Sequence, residues 1–557
     1  MTQRLAITRR TTLEGLTASV AIAAMPASAR STGPSVFRHG VASGDPDATS
    51  VVLWTRVSVP GPVEVEWELA GDTGFTQIVQ RGKLLTGPDR DFTVKVLAEG
   101  LEPGGRYFYR FKAGGEASPE GRTRTLPIGK VDRLGIALVS CSNFAFGFFN
   151  AYDAIARDPA IDFVLHTGDY IYEYGAEGWG AETALKLDRV HQPANEIVSL
   201  SDYRTRHAQY KTDAGSQAML GVMPLLACWD DHESANNPWT GGAQNHQSEK
   251  EGDWAARRAA SIQAYFEWMP VREPGPGRTR MQFWRTWVFG DLATLSTLET
   301  RHTARAQQID YEPYRTSITS FADVAVLERG VIGAEGRAML APELEADLSA
   351  AWTRSKQAGQ HWRLIGNPMP IARTRVPDLV GLGILPDPAQ QAKPLTAARD
   401  LAWKGKWNLP FYPDTWDGYE WARERLYAQA RAAGVNDLVF LTGDSHSFWV
   451  NRLADASGRS TGIELGTAGV TSPGDFIDSG FDPLTTRKLD AALAEHNPEV
   501  MWTDTLHQGY VRLVLTPTAG SASFLAVSTI TSMHYRTRLI SQWRLTPGTD
   551  SMALDRI

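Results

Sequence analysis

Leu134-Gly-Ile-Ala-Leu-Val139, followed directly by Ser140-Cys141-Ser142-Asn143, decides how this chain is read. A short apolar run closed by a polar motif predicts a buried strand that delivers functional side chains at its C-terminal end. The pattern recurs. Phe163-Val-Leu165 leads into Gly168-Asp169-Tyr170-Ile171-Tyr172, Leu225-Leu-Ala-Cys228 into Trp229-Asp230-Asp231-His232-Glu233, and Leu438-Val-Phe-Leu441 into Gly443-Asp444-Ser445-His446. Side chains just past strand C-ends meet in the crevice of an open α/β sheet, so the four motifs are expected to build one site. Thiolate, phenolate, imidazole and carboxylate gathered there suit oxophilic metal ions better than a nucleophilic triad. Metal-assisted hydrolysis is the chemistry this predicts.

Around these motifs, strand-like runs alternate with helical patterns, which means an α/β domain, placed here at residues 131–545. Helices are expected at Asn150–Arg157, at Asp202–Leu220 with Ser201 as N-cap, at Gly252–Trp268 and at Trp416–Ala433. The stretch Val376–Leu401, rich in Pro, Gly and Ala, reads as a long loop able to cover the site.

Upstream the pattern changes. Between Phe37 and Leu126 the chain shows short alternating segments such as Ser50-Val-Val-Leu-Trp-Thr-Arg56 and Val63-Glu-Val-Glu-Trp-Glu-Leu69, separated by Gly and Pro turns. That spacing predicts an N-terminal β-sandwich of the immunoglobulin or fibronectin III kind over residues 30–127. Leu101-Glu-Pro-Gly-Gly-Arg-Tyr-Phe-Tyr-Arg110 resembles the corner of such sandwiches, where a Tyr hydroxyl ties a loop to the following strand. Pro127-Ile-Gly-Lys130 is the expected linker.

The first 29 residues read as an address. Arg9-Arg10, an apolar stretch from Leu16 to Met25 and the small-residue pattern Ala27-Ser28-Ala29 follow the order of a twin-arginine signal peptide. The stretch is too short to span a bilayer, so a periplasmic or secreted protein with no membrane span is expected, with the twin-arginine export machinery as a partner. That machinery carries folded proteins, which suits an enzyme that acquires its metal before export.

Composition sets further limits. The chain has 557 residues, 21% charged and 42% hydrophobic, within the range of ordinary globular proteins. A net charge of -7 argues against nucleic acid as a main partner, while leaving room for a local basic pocket for phosphate. Cys141 and Cys228 are the two cysteines, so this is no disulfide scaffold. Cys228, inside an apolar run, reads as a small buried hydrophobe and Cys141 as a ligand. A disulfide between them is the alternative.

Longer matches point to a family. Phe37-Arg-His-Gly-Val-Ala-Ser-Gly-Asp-Pro46 with Leu53-Trp-Thr-Arg56, then Trp416-Asp-Gly-Tyr419 and Gly509-Tyr510, are similar to landmarks of the PhoD-like alkaline phosphatases in the calcineurin-like metallophosphoesterase superfamily. The resemblance spans essentially the whole chain past the signal sequence. It implies an α/β metallophosphoesterase domain of the αββα type after the β-sandwich, a phosphate ester substrate and a pair of metals, Fe(III) and Ca(II), with Mn or Zn as substitutes for Ca.

Residue by residue, the resemblance implies that Cys141, Tyr172 and His446 hold the iron, that Asp169 bridges the two ions, and that Asp231 and Asp444 hold the second. His232 is implied as a donor to the phosphoryl or leaving-group oxygen. Phosphomonoester hydrolysis at alkaline pH by a metal-bridging hydroxide is the implied activity. Phosphodiester hydrolysis of the phospholipase D kind is the runner-up, and a phosphate- or polymer-binding protein without turnover the alternative from another class. A monomer is the expected state.

The residues themselves leave choices. Tyr170 and Tyr174 compete with Tyr172, and Asp230 with Asp231. Asn143, Asn236 and Asn237 are further oxygen donors, whereas Glu233 reads as a support. Leu298-Glu-Thr-Arg301 stands where the family usually has Asp before Thr-Arg, so Glu299 adds a methylene. Arg301 is a candidate phosphate contact, since guanidinium meets phosphate with two parallel hydrogen bonds, or else a structural ion pair.

Overall fold

Alternate residues of the strand Leu134–Val139 face different cores, and this explains the architecture. Ile136 and Leu138 pack with Leu364, Val439 and Leu441, while Ala137 and Val139 pack with helical residues such as Tyr152, Met219 and Tyr265. Leu438–Thr442 repeats the arrangement: Val439 and Leu441 join the first core, Leu438 and Phe440 lie against Leu348, Trp352 and Leu426. Strands buried on both faces read as unbroken apolar runs, as these do.

The structure is a computed structural model and describes residues 35–548 and 551–557. Within it, Val36–Ile557 form one compact unit. The expected signal sequence, residues 1–29, lies outside the described residues. No helix among the described residues is long and apolar enough to cross a membrane.

Two mixed sheets stack through the shared core. A ten-stranded sheet carries Leu134–Val139, Phe163–His166 and Leu225–Ala227 as parallel neighbours, and a seven-stranded sheet carries Leu438–Thr442. Helices Asn150–Ala156, Leu200–Tyr210, Ala214–Val222 and Trp254–Trp268 cover the first sheet, and Pro342–Gln357 and Glu420–Ala432 the second. The layers therefore run helix, sheet, sheet, helix. This is the layering the family resemblance implies, and it corrects the reading of the run pattern alone, which placed all four motifs on one open sheet: three motifs leave one sheet and the fourth leaves the sheet facing it. A run buried on both faces carries no signal of which sheet it joins.

Residues 36–127 form two sheets around a core of Val51, Leu53, Val65, Leu69, Tyr109 and Phe111. One is a separate five-stranded sheet. The strands of the other, Val41–Gly44, Ser50–Arg56 and Thr93–Glu99, continue the ten-stranded sheet through Gly44 beside Leu225. The boundary near residue 130 is thus a change of pattern along the chain that one sheet runs straight across. Tyr107 closes the expected corner, its hydroxyl accepting from the Glu102 N–H at 2.9 Å.

The helix expected over Asp202–Leu220 is two helices. Ser199, rather than Ser201, caps the first in a reciprocal box with Asp202, and Asp213 restarts the second by accepting from the Gly215 and Ser216 N–H groups. The helix expected from Trp416 begins at Glu420, after a capped turn at Trp416–Gly418. Of the Val376–Leu401 stretch, Val376, Leu379 and Leu385 pack with Phe411, Phe476 and Phe481, and a helix begins at Thr396. The side chain standing against His446 is instead Trp179, stacked on it at 5.5 Å with the rings 17° apart.

Candidate metal centre

Three of the four polar motifs turn sharply where their strands end. Cys141, Asp169, Asp444 and His446 all adopt left-handed backbone, with φ of 59°, 57°, 64° and 51°. Such conformations cost non-glycine residues of order 1–3 kcal/mol each and collect at functional sites. Cross-bonds hold the turns. The Cys141 N–H donates to Gly168 O at 3.2 Å and the Ser142 N–H to Asp169 O at 2.9 Å. Glu233 accepts from the N–H groups of Asp169, Tyr170 and Asp230 at 3.1, 2.6 and 2.8 Å, clamping the second motif to the third.

Gly168 makes that approach possible. Its φ is 103°, and a Cβ there would lie 2.4 Å from both Cβ and N of Asp230. Gly168→Ala is therefore expected to push the Asp169 and Asp230 loops apart, lowering the melting temperature and releasing metal. Calorimetry with metal analysis checks this; wild-type values in both would refute it.

Asp169 is the common member of every donor group. Cys141, Asp169 and His446 form one set, Asp169, Asp230, Asp231 and Asp444 a second, and Asp169, Asp231 and His232 a third, with ligand atoms in each set within 4.8 Å of one another. Tyr172 joins the first set: its hydroxyl lies 3.2 Å from Asp169 Oδ2 and 3.3 Å from His446 Nε2, and accepts from Ser472 Oγ at 2.8 Å. Tyr170 turns away to Ser216, and the Tyr174 ring lies tilted against His232 with centroids 5.4 Å apart.

The donor chemistry fits cations. Burial first, and then Asp169, push the Cys141 thiol and the Tyr172 phenol well above their ordinary ranges. Burial and neighbouring carboxylates raise Asp169 and Asp444 likewise. Asp230 Oδ2 and Asp231 Oδ1 are buried without a hydrogen-bond partner, a costly arrangement that a metal ion would resolve. A multivalent cation among these groups reverses every one of the upward shifts. Burial keeps His446 down at about 3, so its imidazole is neutral and free to ligate.

Two bracing groups complete the site. Glu173 Oε2 accepts from His232 Nδ1 at 2.6 Å, which leaves His232 Nε2 directed at the acidic cluster, 4.0 Å from Asp231 Oδ2. Although burial opposes it, Asp231, Glu173 and Asp169 hold His232 well above the usual histidine range. Arg301, fully buried, donates Nε–H to Asp230 Oδ1 at 2.5 Å, with one terminal nitrogen 3.5 Å from Asp444 Oδ1. Glu299 fixes its turn, accepting from the Arg301 and His302 N–H groups at 2.9 and 2.7 Å and from the Trp229 indole at 3.1 Å. Both terminal nitrogens of Arg301 lack hydrogen-bond partners.

Comparison with known proteins gives this geometry a family. A model of the PhoD-like phosphatase matches residues 136–524, and a model of the PhoD-like phosphatase N-terminal domain matches residues 22–127. The chain belongs to the PhoD-like phosphatases. It is 33% identical over 518 residues to alkaline phosphatase D of Bacillus subtilis (strain 168), covering 89% of this chain and 78% of that one. It also superposes on a solved structure described as "Structure of PhoD" with a TM-score of 0.74 at 29% identity, covering 95% of this chain and 93% of the other.

In this PhoD-like phosphatase all the candidates named from sequence, Cys141, Asp169, Tyr172, Asp231, His232, Arg301, Asp444 and His446, lie in one cluster, buried except for the half-buried Asp444 and His446. Asp230 and Asp231 both enter it. Of the three asparagines, Asn143 Oδ1 caps a turn by accepting from the Ala145 N–H, and Asn236 and Asn237 donate their amide N–H groups to Gln244 Oε1. Cys141 and Cys228 are both free thiols, which removes the disulfide alternative. Glu173 and Trp179 are the residues that sequence reading missed. Glu173 follows Tyr172 directly, so a carboxylate adjoining the second motif was its available signal; Trp179, in a loop, had none.

Proposed function

We propose that this PhoD-like phosphatase is an exported, metal-dependent phosphoesterase that hydrolyses phosphomonoesters at alkaline pH. The observation that carries the reading is Asp169, a single carboxylate shared between a thiolate, phenolate and imidazole set on one side and a carboxylate set on the other. The anionic donors Cys141 and Tyr172, as thiolate and phenolate, with the shared Asp169 carboxylate and His446 suit a trivalent ion such as Fe(III), and Asp231, Asp444 and the adjoining Asp230 suit Ca(II) or, in its place, Mn or Zn. When bound, the metals would supply an activated water and neutralise charge on the phosphoryl oxygens.

The chain's own residues do the rest. Asp169 holds the two donor sets at one spacing, Glu233 fixes the loops that carry them, and His232, oriented by Glu173, presents a proton toward the leaving-group oxygen. Arg301 has two guanidinium nitrogens left for the phosphoryl oxygens once a metal takes over Asp230 and Asp444. Twin-arginine export rests on Arg9-Arg10 and the apolar stretch after them.

Rates on p-nitrophenyl phosphate and bis-p-nitrophenyl phosphate, with and without added Ca(II) and on protein of known metal content, test the reading. Calcium-dependent turnover with the monoester faster is the expected result; a faster diester assigns diesterase activity, and no turnover with metals bound returns the binding-protein alternative. The iron assignment has its own readout. The loaded protein should be coloured by phenolate-to-iron charge transfer, and Tyr172→Phe should lose the band; an active, colourless, iron-free preparation overturns it.

A further inference from the structure

Two adjoining clefts at the other end of the parallel strands carry a charge pattern unconnected with the metal centre. The first, about 430 Å³, lies between the strands Arg106–Ala113 and Gly121–Arg124 and the turn that follows Asn150–Ala156. The register opposes Arg106 to Arg124 and Phe108 to Arg122, which puts Arg106, Arg122 and Arg124 on one face of the five-stranded sheet. The second, about 650 Å³, shares Arg157, Asp158 and Pro159 with the first and continues along Arg512 and Arg536. Six arginines thus line a joined groove whose acidic lining residues are Asp158 and Asp162.

Those acids are already committed. Asp162 is shared by Arg124 and Arg133, and Asp158 pairs with Arg512 at 3.0 Å, while Arg157 pairs with Asp153. Arg106, Arg122 and Arg536 are exposed and form no ion pair among the described residues. Arg124 Nε is buried without a hydrogen-bond partner. Burial lowers the Arg124 guanidinium, Asp162 works against that, and the crowding cations Arg106 and Arg133 add to the lowering. In a chain of net charge -7, this is a local positive surplus that an anion would relieve.

Guanidinium favours phosphate, which it meets through paired hydrogen bonds. One phosphate cannot serve this groove, because Arg106 and Arg122 belong to the first cleft and Arg536 to the second. Nor can a phosphate held here reach the metal centre. Asp162 and Pro224 precede their strands and the candidate ligands follow them, and the three to four strand residues between, at a rise of ~3.3 Å each, already separate the two by on the order of 10 Å. We propose that the groove binds a linear polyanion presenting successive phosphate groups, and so holds the protein on polymeric material independently of hydrolysis.

The test uses the full metal-loaded protein with long-chain polyphosphate and orthophosphate as probes, at several salt concentrations. Polyphosphate is expected to bind, and the triple variant R106A/R122A/R536A to bind it at least about tenfold more weakly with a shallower salt dependence, by about one unit of slope per arginine lost. Turnover of p-nitrophenyl phosphate and the melting temperature should stay at wild-type values, since these three side chains touch neither the core nor the metal centre. No binding, or equal binding by the variant, overturns the proposal. Orthophosphate binding with the same loss in the variant assigns the groove to free phosphate and overturns the polymer.

Discussion

Asp169→Asn is expected to abolish hydrolysis, by at least about 10³-fold, and to empty both metal positions. A metal supplies several kcal/mol of charge stabilisation to such a reaction, and 4 kcal/mol is about three decades in rate. Asp169 alone belongs to every donor set, so removing its charge weakens both positions at once. Asparagine keeps the shape and can still accept from the His232 N–H, which Asp169 Oδ1 receives at 3.2 Å. The loss is then one of charge, with the fold intact.

Stability without metal separates a ligand from a structural carboxylate. Burial and Asp231 raise the Asp169 carboxyl well above the usual carboxylate range in the folded protein. A raised acid binds more protons folded than unfolded, so its unfavourable contribution appears as pH rises through the unfolded value near 4 and grows up to the folded one. At neutral pH the chelator-treated Asp169→Asn protein is therefore expected to melt higher than chelator-treated wild type, whereas adding metal should stabilise wild type alone. If Asp169 were structural, the variant would melt lower under both conditions.

How much of this was legible follows from where each signal lies. The four motifs were legible because each combines a strand-length apolar run with ligand-type residues at its end, and the structure gathers all of them. The sheet assignment was not, since Leu134–Val139 and Leu438–Thr442 are both buried on two faces and carry the same pattern in different sheets. The break between the helices ending at Tyr210 and beginning at Ala214 escaped reading because Asp213 caps through local hydrogen bonds while the apolar pattern runs on. Glu173 could not be assigned because its partners, His232 and the Asn236 N–H, are about 60 residues away in the chain and meet it only in the fold.

That partnership carries the second large expected effect. His232 Nδ1–H donates to Glu173, so the proton on Nε2 is the one offered to the site. Positioned proton transfer contributes typically 10²–10⁴-fold. His232→Ala is expected to lose about that much on an alkyl phosphate, whose alkoxide needs a proton to leave, and far less on p-nitrophenyl phosphate, whose phenolate leaves unaided. Metal content should remain at wild type. Glu173 acts through His232, and its signature is in pH. Of the anions that raise His232 against the effect of burial, Asp231, Glu173 and Asp169, the metals would claim the first and the last, which leaves Glu173 as the one that keeps the imidazole protonated as pH rises. Replacing Glu173 by Gln removes one of them, so the imidazolium loses its proton at lower pH and the alkaline limb of kcat must move down. The acid limb is expected to hold its place. A uniform fall in rate at every pH, with the alkaline limb unmoved and equal losses on both substrates, would mean that Glu173 and His232 only support the loops around the metal centre.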